Sequence, residues 1–120
     1  MKLIIRSAIT CLFLAAFAFP VLAQNPQLAA QLGKPSGSCF PLKLKNLQPG
    51  LLKVGPAYLV VFDQGTCKRV CESKIALGQK LKPCEVYTFK ICCDHPLPAR
   101  YMAYVKVFHT GGSTEDWLWN

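Results

Sequence analysis

The chain is short of acidic residues: 6 Asp and Glu stand against 14 Lys and Arg in 120 residues, a formal net charge of +8. It holds only 2 histidines and has no G-x-S-x-G, no H-E-x-x-H and no phosphate-cradling glycine loop. That removes the esterase elbow, the zinc-protease helix and the nucleotide loop. No Cys-x-x-Cys pair occurs, and an exported chain meets an oxidising medium, so a structural zinc site on Cys92, Cys93 and His95 is disfavoured. Beyond residue 23 there is no second long apolar run, which excludes a polytopic membrane protein. The length is that of one domain, too short for a two-domain coenzyme enzyme. No block of five or six like charges marks a dedicated basic arm either.

What is present starts with an export pattern. Lys2 and Arg6 precede the apolar stretch Leu12 to Phe19 and the exit Val21, Leu22, Ala23, which reads as a removable signal over 1–23. Setting Lys2 and Arg6 aside leaves 12 cations against 6 anions, a net charge of +6 on the expected secreted, extracellular form. A surplus of that size favours anionic partners such as headgroups or acidic glycans, and it also serves solubility. Residues 24–38 are polar and rich in Gln, Gly, Pro and Ser. They read as a flexible lead-in with one short turn through Leu32, ahead of a single domain over 39–120.

Six cysteines follow the signal: Cys39, Cys67, Cys71, Cys84, Cys92 and Cys93. An even number in a short exported chain predicts three disulfides, and sequence alone leaves 15 pairings open. Neighbouring strand residues point to opposite faces, so Cys92 and Cys93 diverge and do not bond to each other. Cys93 is expected to reach Cys67 or Cys71, with Cys39 and Cys84 the natural candidates for an outer bond.

Leu42 and Leu44 alternate with Lys43 and Lys45, the period of a half-buried strand, and Ala57 to Phe62 is apolar on both faces, as in a central strand. Thr66 to Leu77 is expected to be a helix. Thr66 caps it, Gly78 ends it, and Cys67, Val70, Cys71 and Ile75 recur near helical spacing. Glu85 to Gly111 reads as a long hairpin about Pro96-Leu97-Pro98, with Tyr87, Phe89, Ile91, Cys93, Tyr101, Ala103, Val105 and Val107 on its core face. The fold expected is therefore α+β, a small disulfide-stabilised antiparallel sheet of four or five strands with one short helix packed on it.

On that hairpin Lys90, Tyr104, Lys106 and Phe108 share the outward face. Trp117 and Trp119, at alternate positions of the tail, either dock as a final strand or stay exposed as anchors. These six residues form the expected binding surface. Glu115 and Asp116 read as a solvated turn, not a glycosidase pair. A nuclease site would need His95 and His109 together with Glu85, Lys90 or Arg100. The hairpin register separates the two histidines by about 33 Å, too far to share a proton.

The order of Cys67 and Cys71 before Cys92-Cys93 resembles that of the cysteine-stabilised αβ defensins, which bond a helical C-x-x-x-C to a strand C-x-C; here the last two cysteines are adjacent and a full strand follows them. More broadly, the size, signal and cysteine content resemble the small secreted cysteine-rich proteins that fungi and other microbes use as effectors or toxins. That resemblance implies an interaction role. The expected function is thus non-enzymatic, effector-like binding of an extracellular or host protein, or of an anionic membrane or glycan surface, by a monomer without a cofactor and without a specific nucleic acid. The alternatives are a cationic antimicrobial or toxin and, last, a small nuclease.

Overall fold

The structure, a computed structural model, describes residues 27–120, and the signal reading of 1–23 lies outside the described residues. Seven strands occur in this span and no helix: β1 Leu28–Leu32, β2 Cys39–Asn46, β3 Leu52–Asp63, β4 Arg69–Leu81, β5 Val86–Cys92, β6 Tyr101–His109 and β7 Gly112–Trp119. They form two antiparallel sheets in the orders β1-β2-β5 and β4-β3-β6-β7. The expected α+β domain is thereby corrected to an all-β sandwich. Its strand order is that of an immunoglobulin-like domain in which the fourth strand has joined the sheet of the third, sixth and seventh.

The expected helix over Thr66–Leu77 is β4. Along it Cys71 is buried and Ser73, Ile75 and Leu77 are half-buried, whereas Glu72, Lys74, Ala76 and Gly78 are exposed, a period of two. Cys71 and Ile75 are four apart, which puts them on one face in a strand as well as in a helix. The residues read as caps serve turns instead. The Thr66 hydroxyl accepts the Lys68 amide in the β3–β4 turn, and Gly78 takes φ +58°, where the pairing of β4 with β3 shifts register.

The expected hairpin over Glu85–Gly111 is also corrected. β5 pairs with β2, placing Cys39 opposite Cys92 and Pro41 opposite Lys90, while β6 pairs with β3 and β7. Residues 93–100 carry the chain from one sheet to the other. Both strands alternate as expected, because both turn a face to one core; alternation fixes the face and leaves the partner open. β1 lies within the stretch read as a lead-in and pairs with β2 from Leu28↔Asn46 to Leu32↔Leu42.

The core fills the space between the sheets. Leu28, Phe40, Leu42, Leu44 and Ile91 from one side meet Leu52, Leu59, Val61, Val105 and Val107 from the other, all essentially without exposure. Each such side chain contributes about 1.5–3 kcal/mol by leaving water. Phe40 and Tyr101 meet edge to face across the layers at 5.8 Å. Asn46 is the one fully buried polar side chain among the described residues. Its amide donates to the carbonyls of Gly50 and Leu81, and its oxygen accepts the Gln48 amide, so the β2–β3 turn is pinned to the end of β4.

Among the described residues, two disulfides are formed. Cys39–Cys92 joins β2 to β5 within one sheet, and Cys71–Cys93 joins β4 to the crossover and so bonds one sheet to the other. Cys84, in the β4–β5 connection, is an exposed free thiol, so the expectation that all six cysteines pair among themselves is corrected. Cys67 and Cys84 flank β4, whose 13 residues span about 40 Å, far beyond bonding reach of each other. On the opposite side of the sandwich β7 closes the seam. Asp116 accepts the Leu32 amide at 2.7 Å, and the Thr114 hydroxyl donates to the Leu28 carbonyl at 2.9 Å. Asp116 is thus a strand residue bonded to β1, not part of a solvated turn.

The Cys71–Cys93 bond spans a sequence separation of 22 and, by loop-closure entropy, adds about 3 kcal/mol. Cys71→Ala/Cys93→Ala is expected to lower Tm by about 12–24 °C in a thermal melt. Asn46→Leu strands the buried Leu81 carbonyl and removes the half-buried bonds to the Gly50 carbonyl and the Gln48 amide, and is expected to cost about 1–3 kcal/mol in a denaturant titration.

Candidate binding face

The four-stranded sheet has an outward face of unusual composition. In β3 the buried Ala57, Leu59 and Val61 alternate with Tyr58, Val60 and Phe62. In β6 the buried Ala103, Val105 and Val107 alternate with Met102, Tyr104, Lys106 and Phe108. The register aligns these into rows across the strands. Lys74, Tyr58, Lys106 and Glu115 form one, Glu72, Val60, Tyr104 and Trp117 the next, and Arg69, Phe62, Met102 and Trp119 the third.

Ring contacts knit the rows together. Tyr104 lies 4.6 Å from Trp117, and Trp117 lies 5.9 Å from Trp119 with the two planes within 14° of parallel. Tyr58 meets Phe108 edge to face at 5.6 Å. Lysines sit over this second pair, Lys74 Nζ at 5.4 Å from the Tyr58 ring and Lys106 Nζ at 5.2 Å from the Phe108 ring. Met102 is only 2% exposed yet stands outside the main core, covered on this outer face between Phe62 and Trp119. Trp119 remains 45% exposed and Phe108 37%. The sheet therefore carries an apolar layer that the sandwich core does not use.

Two acids lie beside this layer. Glu115 accepts a hydrogen bond from the Tyr104 phenol; burial, and then this carboxylate, push the phenol's pKa well above its ordinary value. Glu72 pairs with Arg69 at the rim. A shallow cleft of about 330 Å³ opens at the end of the face between Lys53, Gly55, Phe108 and His109.

Of the residues expected to form the binding surface, Tyr104, Lys106, Phe108, Trp117 and Trp119 come together here, with the tryptophans both docked as a final strand and facing outward. Lys90 does not join them. It belongs to β5 and faces away on the other sheet, a consequence of the crossover. Tyr58, Val60 and Phe62 were not expected at the surface. Their signal was the alternation inside the run Ala57 to Phe62, hidden because both sets are apolar. The groups weighed for a nuclease are dispersed. His95 contacts Asp94 at the crossover, while His109 contacts Thr110 and Thr114 at the far end of β6, a strand of about 30 Å. Glu85 does not face His109; one of its carboxylate oxygens accepts the Lys82 amide.

No protein-family model matches the chain, and no curated protein does. Among solved structures, the X-ray structure of a structural-genomics target designated SoR45 aligns with a TM-score of 0.51 at 11% identity, covering 81% of this chain and 84% of that one. The putative ApaA protein from Bordetella pertussis aligns with a TM-score of 0.48 at 15% identity, covering 76% and 87%. The first likeness is one of fold alone, and the second adds nothing to it.

The Tyr104 phenol gives this face a pH signature. Below the ordinary tyrosine pKa both the folded and the unfolded phenol are protonated. Above about 10 the unfolded chain loses the proton and the folded one keeps it, so stability falls as pH rises. Stability measured from pH 9 to 12 is expected to decline, and Tyr104→Phe is expected to flatten that decline.

Proposed function

We propose that this is an extracellular, non-enzymatic binding protein, effector-like in design, that recognises a protein partner through the aromatic face of the four-stranded sheet. The observation that carries the reading is the ladder Tyr104–Trp117–Trp119, left partly open to solvent on a sandwich whose core is already filled. Tryptophan and tyrosine dominate the energetics of protein interfaces because they bury large rigid area at small entropic cost. Lys74 and Lys106, over the Tyr58 and Phe108 rings, supply charge for orientation. The two disulfides fit an oxidising compartment, where such bonds persist.

The test is capture of a partner from extracellular material, followed by a binding isotherm with the purified partner. Trp117→Ala/Trp119→Ala is expected to weaken binding by about 100-fold or more while the melt stays cooperative. Binding through this face is expected to persist at about 0.3 M salt, since ring burial is not screened. An unchanged isotherm for the double variant would contradict the proposal.

A further inference from the structure

The other outward face of the sandwich has a different chemistry. The strands β1, β2 and β5 contain Lys43, Lys45 and Lys90 and no Asp or Glu. All three lysines are exposed, alternating with the buried Leu42, Leu44 and Ile91. The opposite sheet mixes its charges, holding Asp63, Glu72, Glu115 and Asp116 along with its own lysines. Folding thus sorts a diffuse surplus of positive charge into one uncompensated array.

We infer that the outer face of the β1-β2-β5 sheet binds a linear anionic polysaccharide through Lys43, Lys45 and Lys90. Lys43 and Lys45 are two residues apart on β2, about 7 Å. Lys90 stands opposite Pro41 on the neighbouring strand, about 8 Å from Lys43, so the three charges run obliquely across the sheet. The Cys39–Cys92 bond joins these same two strands at the end next to Lys90 and holds the register that sets this spacing. Lysine is a mobile point charge, suited to a flexible polyanion more than to one shaped anion. Thr88 and Gln31, beside Lys43 in the same row, provide hydrogen-bonding groups for hydroxyl-bearing units. This face presents no aromatic ring, the feature with which proteins stack single-stranded bases or anchor in a bilayer interface. The charge complementarity therefore favours a sulfated or carboxylated glycan over nucleic acid and membrane. The inference is independent of the aromatic-face reading, because the two surfaces lie on opposite sides of the sandwich.

The test uses fluorescence anisotropy with a labelled heparin oligosaccharide. Lys43→Gln/Lys45→Gln/Lys90→Gln is compared with Lys53→Gln/Lys74→Gln/Lys80→Gln, which removes the same charge from the other sheet. The first variant is expected to lose about 30-fold or more in affinity and to show a shallower dependence on salt; the second is expected to lose less than about threefold. Trp117→Ala/Trp119→Ala is expected to bind heparin as the wild type does, which separates failure here from failure of the aromatic face. Equal losses in the two lysine variants would overturn the inference by reducing it to net charge. So would wild-type binding to phosphatidylserine vesicles or a single-stranded oligonucleotide as tight as to heparin.

Discussion

Two neighbouring sulfurs that leave the backbone in opposite directions hold this sandwich together. Cys92 is the last residue of β5 and bonds sideways to Cys39 on the adjacent strand. Cys93 is turned the other way by the strand's pleat and bonds across the layers to Cys71. One bond fixes the register within a sheet and the other fixes the sheets to each other, at the point where the chain leaves β5 to begin the crossover. On the opposite side no covalent bond is present among the described residues, and the closure there is made by Asp116 and Thr114 of β7 bonding to the backbone of β1. The domain is thus closed by sulfur along one flank and by side-chain hydrogen bonds along the other.

With the layers fixed, the period of two decides what each outward face displays. Each inner face is spent on the core, so the residues between core positions are left to solvent. In β2 and β5 these are mostly lysines and small polar groups; in β3, β6 and β7 they are mostly rings. The same alternation that builds the core therefore produces one cationic surface and one aromatic surface, back to back. Tyr104 shows how the second is stabilised: its ring packs on Trp117 while its hydroxyl is held by Glu115, so the polar end of an outward ring has a partner within the sheet.

Much of this was legible in the residues and some was not, for identifiable reasons. The alternation of Leu42 to Lys45 gave β2, and the inward set Tyr101, Ala103, Val105 and Val107 emerged correctly from β6. The divergence of Cys92 and Cys93 followed from strand geometry alone. What local pattern cannot report is which strand lies beside which. β5 and β6 are consecutive and both alternate, so they read as a hairpin although they belong to different sheets, and that reading drew Lys90 onto the wrong surface. β4 was misread because Cys71 and Ile75 share a face in either period. The aromatic face was half visible, since Lys106 marks the outward side of β6 and the two tryptophans stand at alternate positions in β7. Its β3 members, Tyr58 and Phe62, alternate against equally apolar ones.

The placement of β5 and of the crossover depends on the way these two sulfurs are bonded, and that connectivity can be measured directly. The native protein would be digested without reduction, and the linked peptides sequenced by tandem mass spectrometry under conditions that separate Cys92 from Cys93. The account predicts a Cys39–Cys92 linkage and a Cys71–Cys93 linkage. Finding Cys39 bonded to Cys93, or Cys71 bonded to Cys92, would contradict it, since either exchange reverses the faces on which β5 and the crossover were placed.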